Sequence, residues 1–311
     1  MEIATSVLEP ASTQGREILG LFWVVLGITG VIFLVVTTLV IIAVVRFRER
    51  PGGPPASDTD ENLVLELVWT VIPLVIVAVL FVFTVRVMHR VDPQARDRDP
   101  DLVIVAHQWW WELHYPGRDF ASANEIHVPI NTKLLLQLES ADVVHDFWVP
   151  ALGKKVDAIP GHPNTLWLTV AHPGVFLGTC DEFCGTEHAW MRIRVIGQSK
   201  DDFDAWAAHQ ALPAPEPSSP KARQGAELFH DRTCASCHAI RGTDATARIG
   251  PDLTHVAGRD TLASGALDNT PANLARWIAD PQAIKPGCYM PDLHLDRSEV
   301  ELVTAYLEEL Q

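Results

Sequence analysis

Between Gly178 and Met191 the chain reads GTCDEFCGTEHAWM. Cys180, Cys184, His188 and Met191 put two thiols, an imidazole and a thioether within twelve residues, and Gly178 and Gly185 mark the stretch as a loop rather than a helix. Soft sulfur and imidazole donors select copper, zinc or iron–sulfur, and a weak thioether beside a Cys/His set points to electron-transfer copper. A Cys180–Cys184 disulfide is the competing reading, common for such pairs outside the cytosol. It leaves His188, Met191 and the distant His145, in ADVVHDFWVP, without a role. A single blue copper needs one thiolate. Two thiolates, two imidazoles and one thioether suit a pair of coppers bridged by both sulfurs, with one imidazole each.

A second constellation lies in KARQGAELFHDRTCASCHAI. C-x-x-C-H is the attachment pattern of a covalent c-type haem, with Cys234 and Cys237 as thioether links and His238 as iron ligand. Zinc or a redox dithiol would also fit the bare motif. Here it ends a helix-like run containing Ala222, Ala226, Leu228 and Phe229, and a Met-Pro pair, Met290–Pro291, follows about 50 residues later. KPGCYMPDL resembles the distal loop of a class I cytochrome c, and by that resemblance Met290 is the expected sixth ligand, ahead of His255 and His294; His/Met ligation raises a haem potential. Of the five cysteines, Cys288 is left over and reads as a buried free thiol.

Membrane segments must anchor these groups. Ile18 to Val45 holds no charged residue, and Leu63 to Met88 is broken only by Glu66 and Arg86. About 20 apolar residues span a bilayer, so both runs suffice. A signal peptide would want a basic start and a shorter apolar core. This start carries Glu2, Glu9, Arg16 and Glu17, which predicts a retained helix. The connecting stretch RFRERPGGPPASDTDEN, basic through Arg46, Arg48 and Arg50, is expected in the cytoplasm. Both termini, and everything after His89, then lie on the outer face. Glu66 near a helix end can simply snorkel, yet an ionisable group within a span is a functional candidate.

From Asp101 the pattern changes to short β-branched and aromatic segments, LVIVAHQWWWELHY, TKLLLQLES, NTLWLTVAHPGVFLGTC and MRIRVIGQ, punctuated by Gly, Pro and Asn. Such spacing predicts a Greek-key sandwich or barrel, with His145 after one strand and the cysteine loop between two later ones. In a strand Trp109 and Trp111 share one face and Trp110 takes the other. ALPAPEPSSP, residues 211–220, reads as a semi-stiff solvated linker. The net charge of -15 concentrates in the middle of the chain. An acidic surface argues against nucleic acid and suits a basic protein donor, although surface charge also serves solubility.

The loop C-x-E-x-C-G-x-x-H-x-x-M resembles the copper A loop of cytochrome c oxidase subunit II. By that resemblance Cys180 and Cys184 bridge two coppers, His145 and His188 are terminal ligands and Met191 is a weak axial one. The Glu182 carbonyl binds the second copper, and its carboxylate a magnesium or manganese ion shared with subunit I; Asp181 stands where serine is common. H-Q-W-aromatic-W, from His107, places Trp109 at the surface near the copper, where electrons enter; Trp110 replaces a frequent tyrosine. The stretch 143–161, with Phe147, Lys155, Asp157 and Pro160, also follows the family. Glu66, Trp69, Thr70 and Pro73 are similar to the second helix of subunit II, whose glutamate lies near a proton path into subunit I. KPGCYMPDL and IGPDL look like the distal and proximal loops of a class I cytochrome c, with Pro251 near the ligating imidazole and a closing helix over Ser298–Leu310.

The expected architecture is a multi-domain membrane protein: a two-helix transmembrane hairpin, an all-β cupredoxin domain and an all-α class I cytochrome c domain. Its parts are an N-terminal segment 1–17, a hairpin 18–90 with helices about 18–45 and 63–88, a cupredoxin 91–210, a linker 211–220 and a cytochrome 221–311. The resemblance implies a subunit II with a fused cytochrome c, as in caa-type oxidases of bacterial cytoplasmic membranes. Electrons pass from haem c to the copper pair and on to haem a of subunit I, which reduces oxygen to water and pumps protons. Implied partners are subunits I and III, a soluble or membrane-bound cytochrome c or similar donor, and lipid. A membrane-anchored electron shuttle and an electron-accepting subunit of a nitric oxide reductase-like complex stay open as alternatives.

Overall fold

The computed structural model describes residues 3–48, 51–52, 61–92 and 98–311. Glu2, Arg50 and most of the connecting stretch expected in the cytoplasm lie outside the described residues. The chain divides into two compact units, residues 16–93 and residues 1–15 together with 94–311.

The helical unit holds α1 (Thr13–Arg46) and α2 (Leu63–Val91), both long and apolar enough to cross a membrane. α1 starts at Thr13 rather than Ile18, because the Ser12 hydroxyl accepts the Gly15 amide at 2.8 Å and caps the first turn. Asn62 caps α2 by accepting the Leu65 amide at 3.1 Å. Glu66 occupies the first turn of α2, and Pro73 is tolerated inside it. Glu17, near the start of α1, and Arg90, near the end of α2, form an ion pair of 3.1 Å that closes an antiparallel hairpin.

The second unit opens with β1 (Ile3–Ala4) and then two sheets. These use β2 (Leu102–His107), β3 (Trp110–His114), β4 (Ala121–Ala123), β5 (Glu125–Pro129), β6 (Leu134–Ser140), β7 (His145–Trp148), β8 (Val156–Ala158), β9 (Asn164–Leu168), β10 (Gly174–Cys180) and β11 (Arg192–Gln198). One sheet runs β4-β3-β2-β6-β9 and the other β5-β11-β10-β7-β8, with β1 beside β10. Alternation sets the faces: Leu102, Ile104 and Ala106 point inward from β2, and Trp111 and Leu113 from β3. They meet Phe147, Phe176 and Val195 of the other sheet in one core. α3 (Lys200–Gln210) packs on β5 through Trp206, stacked 4.0 Å from His127.

LVIVAHQWWWELHY folds as the β2–β3 hairpin with its turn at Gln108–Trp109. Trp109 therefore precedes the strand and shares no strand face with Trp111. Trp111 is fully buried, and Trp110 points outward, stacked 4.3 Å from His107. On that outer face Glu112 lies between two imidazoles, His107 Nε2 at 3.0 Å and His114 Nε2 at 3.1 Å.

A separate core builds the cytochrome module from α4 (Pro220–Asp231), a small ladder of β12 (Thr261–Leu262) and β13 (Leu267–Asp268), α5 (Pro271–Ala279) and α6 (Arg297–Glu308). α4 and α6 cross where a Cβ on Gly225 would overlap the Leu302 carbonyl. α6 is fixed at its start by a capping box between Asp296 and Glu299. The linker is less free than its composition suggests. Ala214 N donates to Arg241 O at 2.9 Å, and the Ser218 and Ser219 amides donate to Glu309 at 2.6 and 3.2 Å. Its proline-rich backbone is exposed, but these bonds tie it to the module that follows.

Two stability effects follow. Gly225→Ala forces the helix crossing apart and is expected to cost about 1–3 kcal/mol, read as a lower unfolding temperature of the cytochrome module. For Glu112, burial pushes the carboxyl up, but the hydrogen bonds to His107 and His114 outweigh it and bring it down to about 2. A depressed carboxyl stabilises the fold above its ordinary value of 4.5 and loses that contribution as pH falls toward 2. Acid titration should therefore unfold the sandwich less steeply across that window in Glu112→Gln.

Candidate metal centre

β10 carries Cys180 at its C-terminal end, and the loop after it returns through a 3-10 turn, His188–Trp190, into β11. Gly178 is not part of that loop. It lies inside β10, paired across to Ile193, where a Cβ would overlap the Trp148 carbonyl of the neighbouring antiparallel β7. Glycine is required there for close approach rather than for a turn. Gly185 is the loop glycine, with φ of 114° and the Trp109 ring against it.

Five side chains from three elements converge. The sulfurs of Cys180 and Cys184 stand 3.8 Å apart, far beyond the ~2.05 Å of a disulfide, and both cysteines are free and buried. His145 Nδ1 lies 3.8 Å from Cys180 Sγ, and His188 Nδ1 lies 3.5 Å from Cys184 Sγ. Met191 Sδ is 3.9 Å from Cys184 Sγ, and the Glu182 carbonyl is 3.3 Å from Cys180 Sγ. The donor atoms of His145, Cys180 and Cys184 all fall within 4.8 Å of one another. The hydrogen bond with Cys184 pulls the Cys180 thiol well below its ordinary range, while the same contact and burial push Cys184 up. Such a set, with a ready thiolate and no covalent bridge, fits a soft metal.

Residues that spacing did not flag orient this set. Asp142 Oδ1 takes the far nitrogen of His145 at 2.8 Å, which leaves Nδ1 facing the sulfurs. Gln108 Nε2 and Trp109 Nε1 both donate to the Cys184 carbonyl, at 2.7 and 2.9 Å. Asp142 stands three residues before His145 and Gln108 inside the H-Q-W-aromatic-W stretch, but neither spacing assigned them this role. The Glu182 side chain is exposed, and Lys155 holds Asp181 at 2.7 Å.

In the cytochrome module, Cys234 and Cys237 are half-buried free thiols on a 3-10 turn. His238 Nδ1 bonds the Pro251 carbonyl at 2.7 Å, which leaves Nε2 for an axial bond, and burial lowers its pKa so that the imidazole stays neutral. Gly250 lies against the His238 ring, where a Cβ would collide with it. These features fit a haem. The rival histidines are committed elsewhere. His255 bonds the Gln311 and Leu212 carbonyls at 2.5 and 3.1 Å, and His294 pairs with Asp292 at 2.9 Å on the surface. Cys288 is only partly buried, with its sulfur 3.3 Å from Gln282 Nε2.

The two modules meet in a hydrogen-bonded seam. Glu125 of the sandwich, 3% exposed, accepts the amides of Asp260 and Thr261 at 3.0 and 2.8 Å and the Thr261 hydroxyl at 2.8 Å. Ser264 Oγ and Lys285 Nζ donate to the Trp109 carbonyl at 2.9 and 3.2 Å. Burial pushes the Lys285 ammonium down to about 8. The Tyr289 ring lies 5.1 Å from the Trp109 ring, and its hydroxyl donates to Gln108 at 2.8 Å. Trp109, expected at the surface, is therefore 6% exposed, because the cytochrome module covers it.

Comparison with known proteins agrees with this arrangement along the chain. The profile for the transmembrane domain of cytochrome c oxidase subunit II matches residues 3–87, that for its periplasmic domain residues 117–198, and that for cytochrome c residues 222–311. Cytochrome c oxidase subunit 2 of Alkalihalophilus pseudofirmus is 33% identical over 98% of this chain and 91% of its own. The same subunit of Bacillus sp. PS3 is 34% identical over 85% of this chain and 80% of its own. Among solved structures, the periplasmic domain of subunit II of cytochrome oxidase of Bradyrhizobium japonicum is 34% identical, covering 36% of this chain and 95% of that one, with a TM-score of 0.35. The sandwich domain thus implies copper A and the C-terminal module a haem. With a membrane hairpin, a copper sandwich and a cytochrome in one polypeptide, the chain belongs to the cytochrome c oxidase subunit II family, in the caa-type fused form.

Proposed function

We propose that this chain accepts electrons at its own covalent haem c and hands them through a dinuclear copper A centre to subunit I of the oxidase. Cys180 and Cys184 bridge the two coppers, His145 and His188 supply one imidazole each, and Met191 and the Glu182 carbonyl complete the set. Cys234 and Cys237 hold the haem by thioether bonds, with His238 and Met290 on its iron. When bound, the two centres supply one-electron carriers in series; oxygen reduction and proton pumping belong to subunit I.

The observation that carries this reading is the unbridged sulfur pair, 3.8 Å apart, with an imidazole nitrogen facing each sulfur. Buried free thiols at that distance, with aligned imidazoles, are a ligand set rather than a redox pair. Trp109 serves as the electron-accepting residue, but toward the chain's own cytochrome rather than a soluble donor, since Tyr289 and Lys285 cover it. The Glu182 carboxylate, exposed beside the loop, is available to a magnesium ion at the subunit I border. Glu66, in the first turn of α2, is placed near a helix end, as a proton-path residue would be. The sandwich and cytochrome lie on the outer side of the cytoplasmic membrane with both termini. Subunits I and III are partners, and an acidic surface favours a basic cytochrome as donor.

Metal and haem analysis of the full chain in detergent should return two coppers and one covalent haem per polypeptide. One copper, or a haem released by acid acetone, would contradict the assignment. Asp142→Ala should weaken copper binding about 10–100-fold in a chelator competition, because His145 loses its orienting carboxylate. Tethering makes internal transfer a first-order step. Its stopped-flow rate constant should not change with protein concentration.

A further inference from the structure

An aromatic side chain of the cytochrome module faces the cysteine loop. Tyr289 immediately precedes Met290, the residue assigned above to the haem iron. It is 69% exposed, yet both ends of its side chain are engaged. Its ring lies 5.1 Å from the Trp109 ring at an angle of 32°, within the range of a favourable aromatic pair. Its hydroxyl donates to Gln108 Oε1 at 2.8 Å. Both partners end on one atom: Trp109 Nε1 and Gln108 Nε2 donate to the Cys184 carbonyl at 2.9 and 2.7 Å. The segment that carries Tyr289 is held from two sides. Within the module, Gln282 Nε2 donates to the Cys288 and Met290 carbonyls, each at 2.9 Å, and Gln282 Oε1 accepts the Gly287 amide at 2.9 Å. Across the seam, Gly287 has φ of 94° and lies against Thr186, where a Cβ would come within 3.1 Å of the threonine methyl. Lys285 Nζ donates to the Trp109 carbonyl at 3.2 Å.

We infer that Tyr289 is the bridging residue for internal electron transfer: its ring closes the space between the Met290 segment and Trp109, so that electrons pass by way of Tyr289, Trp109 and the Cys184 peptide to the sulfur pair. The inference rests on the copper and haem assignment above. Electronic coupling falls slowly along bonds and hydrogen bonds and steeply across empty space. From the Met290 backbone to Cys184 this route is covalent or hydrogen-bonded except between the two rings, and there the rings are in contact. In the step itself one electron leaves the ferrous haem, which is oxidised, and enters the copper pair, which is reduced; no bond forms or breaks and no proton moves. Neither ring is oxidised. The carriers supply the redox chemistry, and the chain supplies the geometry that couples them.

The test uses the full chain in detergent, with copper and haem content measured. The haem is reduced by a laser flash, and the passage of its electron to copper is followed optically. Tyr289→Leu is expected to slow that passage about tenfold, the order of loss that follows when reacting partners are misplaced. The division of electrons at equilibrium should stay as in wild type, because the substitution changes a contact and not a charge. Tyr289→Phe keeps the ring pair and should run within about twofold of wild type. Should Tyr289→Leu fail to fold, Tyr289→Ser carries the same expectation. If the two rings lie on one route, Tyr289→Leu combined with Trp109→Phe should be no slower than the slower single variant. Hydrogen exchange reads seating separately: the Asp260 and Thr261 amides, held by Glu125, should stay protected in Tyr289→Leu. An unchanged rate in fully loaded Tyr289→Leu, losses that multiply in the double variant, or slowing accompanied by lost amide protection would overturn the inference alone. A wild-type chain that lacks copper or covalent haem would overturn the ligand assignment and the inference together.

Discussion

The second unit is built around one constraint: soft donor atoms must stand a few ångströms apart in a dry pocket without bonding to one another. Cys180 and Cys184 meet at 3.8 Å although both are free, and each faces an imidazole nitrogen rather than the other's lone pairs alone. Holding them takes three separate pieces of chain. β10 ends at Cys180, the 3-10 turn places His188, and β7 begins at His145. The absence of a side chain at Gly178 lets β7 lie close enough for His145 to arrive. The sandwich core, with Trp111 6.2 Å from the His145 ring, keeps the pocket closed. Rigidity of this kind suits electron transfer, where little should move as charge changes.

The cytochrome module is joined to the same pocket by polar contacts rather than by a shared apolar core. The two hydrophobic clusters are separate, and the seam between them is made of Glu125, Ser264 and Lys285 with backbone partners and of Tyr289 with the Gln108 side chain. Polar seams of this sort specify orientation more than they add stability. The tether contributes in the same sense, because residues 211–220 are bonded to Arg241, His255 and Glu309 instead of running free. The orientation they select puts the segment that carries Met290 next to the tryptophan that touches Cys184.

Much of this was legible in the sequence, because sulfur, histidine and their spacing are rare and chemically specific. The apolar runs announced the helices, and short β-branched segments announced the sandwich. Turn geometry was less legible. Trp109 reads as a strand residue until the hairpin folds at Gln108, and Gly178 reads as a loop residue until β7 is seen against it. Long-range pairs left no local trace. Lys285 is one lysine among ordinary surface charges in sequence, and only the fold shows it buried against Trp109 and Trp190. His255 looked like a rival iron ligand because its two carbonyl partners lie 43 and 56 residues away.

A dinuclear centre at Cys180 and Cys184 requires two metal ions sharing one unpaired electron across the sulfur pair. Paramagnetic resonance of the intact chain, loaded with copper and oxidised, tests this most directly. The expected spectrum shows one unpaired electron spread equally over two copper nuclei. An ordinary mononuclear cupric spectrum, or Cys180 and Cys184 recovered as cystine from copper-replete protein, would contradict it.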